Sequence, residues 1–459
     1  MADLRSTLRV QAERAVLAAV RLPDSQHDPA NPFGELRALA EQAGAVVVGE
    51  LEQFRDAPEP GTYIGSGKLV ELAALAEAVN ATTIIFDHEL SPKQIAAIEE
   101  AAKKKVIDRS ELILDIFAGR ATTHEAKLQV EIAQLEYTYP RLRAMWSHLE
   151  RIVGSGGIGG IGTRGPGEQQ LEIDRRLVQN RLDRLRRQLK EIQVRRRREV
   201  RERKRGQFSA AIVGYTNAGK STLFNTLTAG GAYADDRLFA TLMTRTRRWD
   251  LGGGAHAMLS DTVGFVRDLP HHLVASFRAT LEEATHADLL LIVIDAADPG
   301  ATMHYKTVLD VLEYIQDDTR KREEREGEEW AEPTRILLLN KTDRLASNEV
   351  LLEWQQRAPD SIAITATPGT DEERPGQVEL RRRVREMVVG ELIEADLRIP
   401  MSQARAIHEI ESRGTVVSRE YEADSLRMVV RIGRNDLARV NPSGSFFVRP
   451  PPRRHAWKV

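Results

Sequence analysis

The chain reads as an α/β protein: a P-loop nucleotide-binding domain, preceded by a smaller α/β domain and a long helical hairpin, and followed by a small α+β domain. Three observations predict it. Gly214-Tyr215-Thr216-Asn217-Ala218-Gly219-Lys220-Ser221 is a complete G-x-x-x-x-G-K-[ST] phosphate loop, set between the apolar run Phe208 to Val213 and the helix-forming stretch Ser221 to Asn225. Apolar, β-branched runs alternate with helix-like segments on both sides of it. Val178, Leu182, Leu185, Leu189 and Ile192 recur at 4-3-4-3 spacing, which is the seam of a coiled coil.

In chain order, residues 1–35 carry Pro23, Pro29 and Pro32 and read as a flexible extension with a short helix from Leu4 to Val20. An α/β domain is expected over 36–121. Ala45 to Val48 and Thr82 to Phe86 are its β-branched runs, and Lys68 to Val79 is helix-like. Ser91-Pro92-Lys93-Gln94 opens another helix with a capping box and a proline in its first turn. Gly65-Ser66-Gly67-Lys68 is half a phosphate loop, without the first glycine or a following hydroxyl, and reads as a tight turn before a helix.

The hairpin takes 122–206. Thr122-Thr123-His124-Glu125 caps its first helix, whose apolar face is Leu128, Ile132 and Leu135, and Pro140 should kink or restart it. Eight glycines among the fourteen residues 154–167 make a tip that cannot hold one regular structure. From Asp174 to Arg205 fifteen Lys/Arg stand against five Asp/Glu, a formal charge of about +10 in a chain whose net charge is −2. Charge so segregated is what an anionic partner reads, so the hairpin is expected to contact RNA.

The nucleotide domain is expected over 207–392, with strands running into Asp261, over Ala287 to Ala296, Arg335 to Leu339 and Ile362 to Ile364. The charged stretch Gln316 to Pro333 reads as a solvated insertion. The last unit, 393–459, has a helix near Ser402 to Glu411, strands at Gly414 to Val417 and Ser425 to Ile432, and a basic, proline-rich tail. With 459 residues and 41% hydrophobic content the chain can bury several cores, and the absence of cysteine excludes disulfides and thiolate metal centres. The longest apolar run, Leu289 to Ile294, is far too short for a membrane span. A cytoplasmic monomer is expected.

The phosphate loop turns successive N–H groups onto a polyphosphate, with a helix N-terminus behind it. Lys220 reaches the terminal phosphates, and Ser221, followed by Thr222, is a Mg²⁺ ligand. Asp261-Thr262-Val263-Gly264 ends a strand about forty residues on, placing Asp261 near the metal through water and the Gly264 N–H at the γ-phosphate. Asn340-Lys341-Thr342-Asp343 decides the base: a carboxylate at Asp343 accepts from guanine N1–H and the exocyclic amine together, and adenine has no such pair. Thr365-Ala366-Thr367 supports the base through backbone N–H. GTP and GDP are the ligands, and the fold class becomes a P-loop GTPase with its flanking domains. Thr241, Thr244 or Thr246, in Phe239-Ala240-Thr241-Leu242-Met243-Thr244-Arg245-Thr246, completes the Mg²⁺ shell, and spacing leaves all three open. Asn217 is a candidate holder of K⁺, against a role in turn geometry alone. Phe265 stands where a water-orienting glutamine sits in other GTPases, which predicts slow intrinsic turnover. His271 and His272 lack metal-ligand spacing.

On Gly-Tyr-Thr-Asn-Ala-Gly-Lys-Ser, Phe-Ala-Thr-Leu, Asp-Thr-Val-Gly-Phe, Asn-Lys-Thr-Asp and the linker Gly-Ile-Gly-Thr-Arg-Gly-Pro-Gly-Glu168, the chain resembles the HflX family of the Obg–HflX group over roughly residues 35–450. The resemblance selects Thr241 for Mg²⁺. It also implies binding to the large ribosomal subunit and its ribosomal RNA, and splitting or rescue of stalled ribosomes. Met243, Arg245, Thr365 and the long 316–333 stretch depart from the family pattern. Lys220, Asn217 and Gly264 are the catalytic candidates. A factor in ribosome assembly and a signalling switch with a protein effector are the rival readings.

Overall fold

The computed structural model describes residues 13–23, 25, 31–154, 166–204, 207–228, 244–267, 283–327, 330–345, 347–367, 374–441 and 447–449. The first sheet is parallel, in the order β2-β1-β3-β4, from β1 (Arg14–Arg21), β2 (Val46–Phe54), β3 (Thr83–Phe86) and β4 (Lys105–Asp108). Between them run α1 (Gly34–Gln42), α2 (Ser66–Ala78) and α3 (Pro92–Ala102), with α4 (Arg109–Arg120) after β4. Residues up to 35 are not all extension, and Arg14 to Arg21 is an inner strand rather than a helix. Ala15, Leu17 and Ala19 pack towards α1 and α4, and Val16, Ala18 and Val20 towards α2 and α3. A strand covered on both faces has no alternation, so an Ala/Val/Leu run reads equally well as helix.

Gly65 is the extended N-cap residue of α2, and Ser91 and Gln94 form the expected capping box on α3. In the hairpin, α5 (His124–Gly154) and α6 (Pro166–Lys204) pack through Leu128 and Ile132 against Leu182, Leu185 and Leu189. The cap of α5 is Thr123, whose hydroxyl accepts from the Ala126 N–H, one residue later than expected. Helix α5 also continues through Pro140 as one element, so the restart expected there does not occur. Most of the glycine tip lies outside the described residues.

The nucleotide domain is a six-stranded sheet, β10-β9-β8-β5-β7-β6, parallel except where β6 runs antiparallel to β7. Its elements are β5 (Ser209–Gly214), α7 (Lys220–Leu227), β6 (Arg245–Gly252), β7 (Ala255–Asp261), β8 (Leu289–Asp295), α8 (Ala301–Glu326), β9 (Thr334–Asn340), α9 (Glu349–Arg357), β10 (Ile362–Ala363) and α10 (Pro375–Val389). Of the solvated insertion expected over Gln316 to Pro333, residues 316–326 are instead the C-terminal part of α8. Gln316, Thr319 and Glu323 are buried along one face of it. Dense charge disguises that helix, because three polar positions in a helical i, i+3, i+7 row take the place of an apolar stripe.

The last unit runs β11 (Leu392–Pro400), α11 (Ala404–Arg413), β12 (Thr415–Tyr421), β13 (Ser425–Gly433), α12 (Arg434–Val440) and β14 (Phe447–Arg449). Its antiparallel order β12-β13-β11-β14 is a split β-α-β unit, with Ile410 and Leu437 of the two helices packed on one face.

Candidate nucleotide site

The site is built at the C-terminal edge of the central sheet, where doubly wound folds place ligands. Gly214 ends β5 against β8, and a Cβ there would stand 2.1 Å from the Val293 carbonyl oxygen. Gly219, at φ +92°, leaves room for the Asn340 amide, which a Cβ would meet at 2.2 Å. Asn217 takes a left-handed turn at φ +60°, a conformation asparagine tolerates better than most residues. The loop then enters α7 at Lys220.

Lys220 is buried, and its Nζ donates to the Tyr215 carbonyl at 2.6 Å. Burial, offset by nearby Asp261 and reinforced by Lys341, pushes its ammonium pKa down to about 8. The Ser221 hydroxyl donates to Asp261 Oδ2 at 2.8 Å, so a hydroxyl and a carboxylate sit together beside this lysine. Hard oxygen donors of that kind suit Mg²⁺. Thr262 anchors the end of β7 through its hydroxyl to the Ile212 carbonyl at 2.7 Å. Val263 is buried, and Gly264 lies against Lys220 and Thr216. Phe265 is buried too, pairing with the phosphate loop through Thr216 N–H to its carbonyl at 2.7 Å.

The base-side motifs converge on the same loop. Asn340 Nδ2 donates to the Ala218 carbonyl at 2.7 Å, while its Oδ1 accepts from the Ala366 N–H at 2.9 Å. The Thr342 hydroxyl lies 3.1 Å from that of Thr365 and 3.0 Å from the Ile364 carbonyl. Lys341, also left-handed, pairs with Asp295 at 2.7 Å. Asp343 and Thr367 are exposed at the rim. Four segments far apart in sequence thus form one cradle. Phe239, Ala240, Thr241, Leu242 and Met243, like His271 and His272, lie outside the described residues.

A neighbouring cluster escaped the sequence reading. The Tyr215 hydroxyl donates to Glu35 at 2.6 Å and accepts from the Arg267 N–H at 2.9 Å, and its ring stacks on His304 with centroids 3.9 Å apart. Arg109 bridges Glu35 at 2.8 Å and Asp87 at 2.7 Å, and Asp87 also takes Arg21 and Arg267 at 2.9 Å each. Burial raises the two carboxyls, but the attraction of Arg109 and Arg267 outweighs it and holds both below the usual carboxylate range. Burial and the Glu35 charge push the Tyr215 phenol well above its ordinary value. No short motif spells this cluster out, since Glu35 and Tyr215 are separated by 180 residues.

Comparison with known proteins agrees with this geometry. Residues 31–118 match the family model described as "GTP-binding GTPase N-terminal", 120–205 "GTP-binding GTPase Middle Region", and 209–341 "50S ribosome-binding GTPase". A "GTPase HflX" of Escherichia coli is 40% identical over 86% of this chain and 87% of its own length. Those of Magnetococcus marinus and Chlamydia pneumoniae are each 39% identical, over 93% and 85% of this chain and 94% and 79% of their own lengths. Among the described residues no helix is long and apolar enough to cross a membrane. With the phosphate-loop cradle, the three matched regions and relatives aligned over most of their length, the chain belongs to the HflX GTPase family and is a GTPase.

Proposed function

We propose that this GTPase binds the large ribosomal subunit and its RNA through the hairpin and splits or rescues stalled or idle ribosomes under GTP control. The observation that carries the reading is the hairpin's charge. Its two helices are zipped by the apolar seam and by Arg181–Glu131 and Arg186–Glu136 pairs at 2.6 Å and 2.7 Å, and Arg176, Arg184 and Lys190 remain exposed along α6. The family matched over 209–341, described as a 50S ribosome-binding GTPase, supports the same partner.

In the hydrolytic site, Lys220 stabilises charge on the transferred phosphoryl group, and the Gly264 N–H meets the γ-phosphate. Ser221 and Thr241, with Asp261 nearby, would hold Mg²⁺, which would supply charge neutralisation on the phosphates. Asp343 and Thr365-Ala366-Thr367 hold guanine. Asn217 would hold K⁺ and so add positive charge at the site, an assignment that equal hydrolysis rates in K⁺ and Na⁺ would remove.

Lys220 makes the lysine assignment testable by pH. Its ammonium is depressed to about 8 without nucleotide, and a polyphosphate beside it restores the pKa upward. Binding therefore takes up a proton above pH 8, and GDP affinity falls as pH rises through that value. Titration calorimetry at pH 9 in buffers of different ionisation enthalpy reads the uptake directly. Zero uptake, or the same uptake in Lys220→Met, would contradict the assignment.

Sedimentation of intact ribosomes with the protein and GTP, GDP or a non-hydrolysable GTP analogue tests the whole reading. GTP should deplete intact ribosomes and GDP should not, and deleting Gly157-Ile158 in the tip should weaken the effect. Accumulated precursors without splitting would favour an assembly factor. Complex formation indifferent to salt would favour a protein effector.

A further inference from the structure

Tyr215 belongs to the phosphate loop through its backbone and to the first domain through its side chain. Its carbonyl accepts from Lys220 Nζ at 2.6 Å. Its hydroxyl donates to Glu35 of α1 at 2.6 Å and accepts from the Arg267 N–H at 2.9 Å. A phenol has one proton to give, and burial together with the Glu35 charge keeps it on the oxygen. The carboxylate takes that hydrogen bond, and the oxygen's lone pair is left to receive the Arg267 N–H. Two further bonds lie upstream on the same strip. Phe265 N–H donates to the Gly214 carbonyl at 3.1 Å, and Thr216 N–H to the Phe265 carbonyl at 2.7 Å. Residues 265–267 are thus laid along 214–216, with Gly264 against Lys220 and Thr216 at the head of the strip. The guanidinium of Arg267 goes the other way, to Asp87 at 2.9 Å. Without the tyrosine hydroxyl, Arg267 stays with the first domain and loses its register on the phosphate loop.

We propose that Tyr215, with Glu35 behind it, is a positioning residue for GTP hydrolysis: its hydroxyl holds the strip after Gly264 on the phosphate loop, so that the Gly264 N–H stands at the γ-phosphate beside Lys220. The inference rests on the assignment of the Gly264 N–H to that phosphate. One residue then sets both groups that meet the transferred phosphoryl, Lys220 through its carbonyl and Gly264 through its hydroxyl. The acceptor that orients the hydroxyl comes from the first domain, 180 residues away in sequence.

Single-turnover GTP hydrolysis by full-length variants tests this. Tyr215→Phe removes only the hydroxyl, and Glu35→Met keeps the side chain's length without an acceptor. Each should hydrolyse GTP about tenfold more slowly, the rate equivalent of one hydrogen bond. The double variant should be no slower than the slower single, because both remove the same link. Glu35→Gln gives the discriminating readout. It keeps an oxygen for the phenol but not the charge facing Arg109 and Arg267, so most of the wild-type rate should return. A role confined to charge pairing between the domains would leave Glu35→Gln as slow as Glu35→Met, and that result would overturn the positioning role. So would a double variant about a hundredfold slower, the product of two independent losses, or hydrolysis at or above the wild-type rate in Tyr215→Phe. Gly264→Ala run in parallel separates the causes: if it hydrolyses GTP as fast as wild type, the assignment at the γ-phosphate itself has failed.

Discussion

Asp343→Asn should turn the protein from guanosine to xanthosine nucleotides. Asp343 sits in a short helical turn, Thr342–Arg344, fixed by the left-handed Lys341 before it and the Thr342–Thr365 hydroxyl contact beside it. A carboxylate there accepts from both guanine donors, whereas an amide presents N–H₂ to the 2-amine and leaves two donors opposed. Xanthine carries a keto oxygen where guanine carries that amine, so the amide's donor finds an acceptor. GDP affinity should drop on the order of 10³-fold or more, as expected when a site built to hydrogen-bond loses its match, while XDP affinity rises. Competition of unlabelled nucleotides against a fluorescent GDP measures both, and unchanged GDP binding would remove Asp343 from the base site.

Gly264→Ala should separate binding from hydrolysis. An added Cβ would lie 2.9 Å from Lys220 Nζ, 2.9 Å from Thr216 Cγ2 and 3.1 Å from Thr216 Cα. The lysine tip can shift, but the phosphate-loop backbone cannot, so the segment carrying Gly264 must move away from the γ-phosphate position. GDP, which has no γ-phosphate, should bind almost as before. Single-turnover GTP hydrolysis should slow by about 10²-fold, the scale of a catalytic group displaced by around an ångström. Wild-type turnover in this variant would show that the Gly264 N–H does not contribute.

What could be read from the sequence follows the range of the interactions involved. The phosphate loop is eight consecutive residues whose backbone geometry is set by their own glycines, and Asp261 and Asn340 each end a strand that an apolar run announces, with Asp343 just beyond the second. The hairpin seam was equally plain, because Leu182, Leu185 and Leu189 repeat within one helix. Strand β1 was not, since an apolar run covered on both sides carries no period that separates strand from helix. Nor was the length of α8, whose buried row is Gln316, Thr319 and Glu323 rather than leucine. The Glu35–Tyr215–Arg267 cluster depends on partners brought together only by the finished fold, and no local pattern encodes such pairs.

The wide sequence spacing of that cluster bears on how the chain is made. Every strand of the first sheet has emerged by Asp108, and its core closes once α4 and the start of the hairpin, with Val130, Ala133 and Tyr137, have followed. Arg109 and Asp87 meet early, but Arg267 is synthesised 158 residues after Arg109. Until then Glu35 and Asp87 have Arg109 but lack Arg267, and the ion pairs that join the first-made domain to the nucleotide domain form only once that arginine is made.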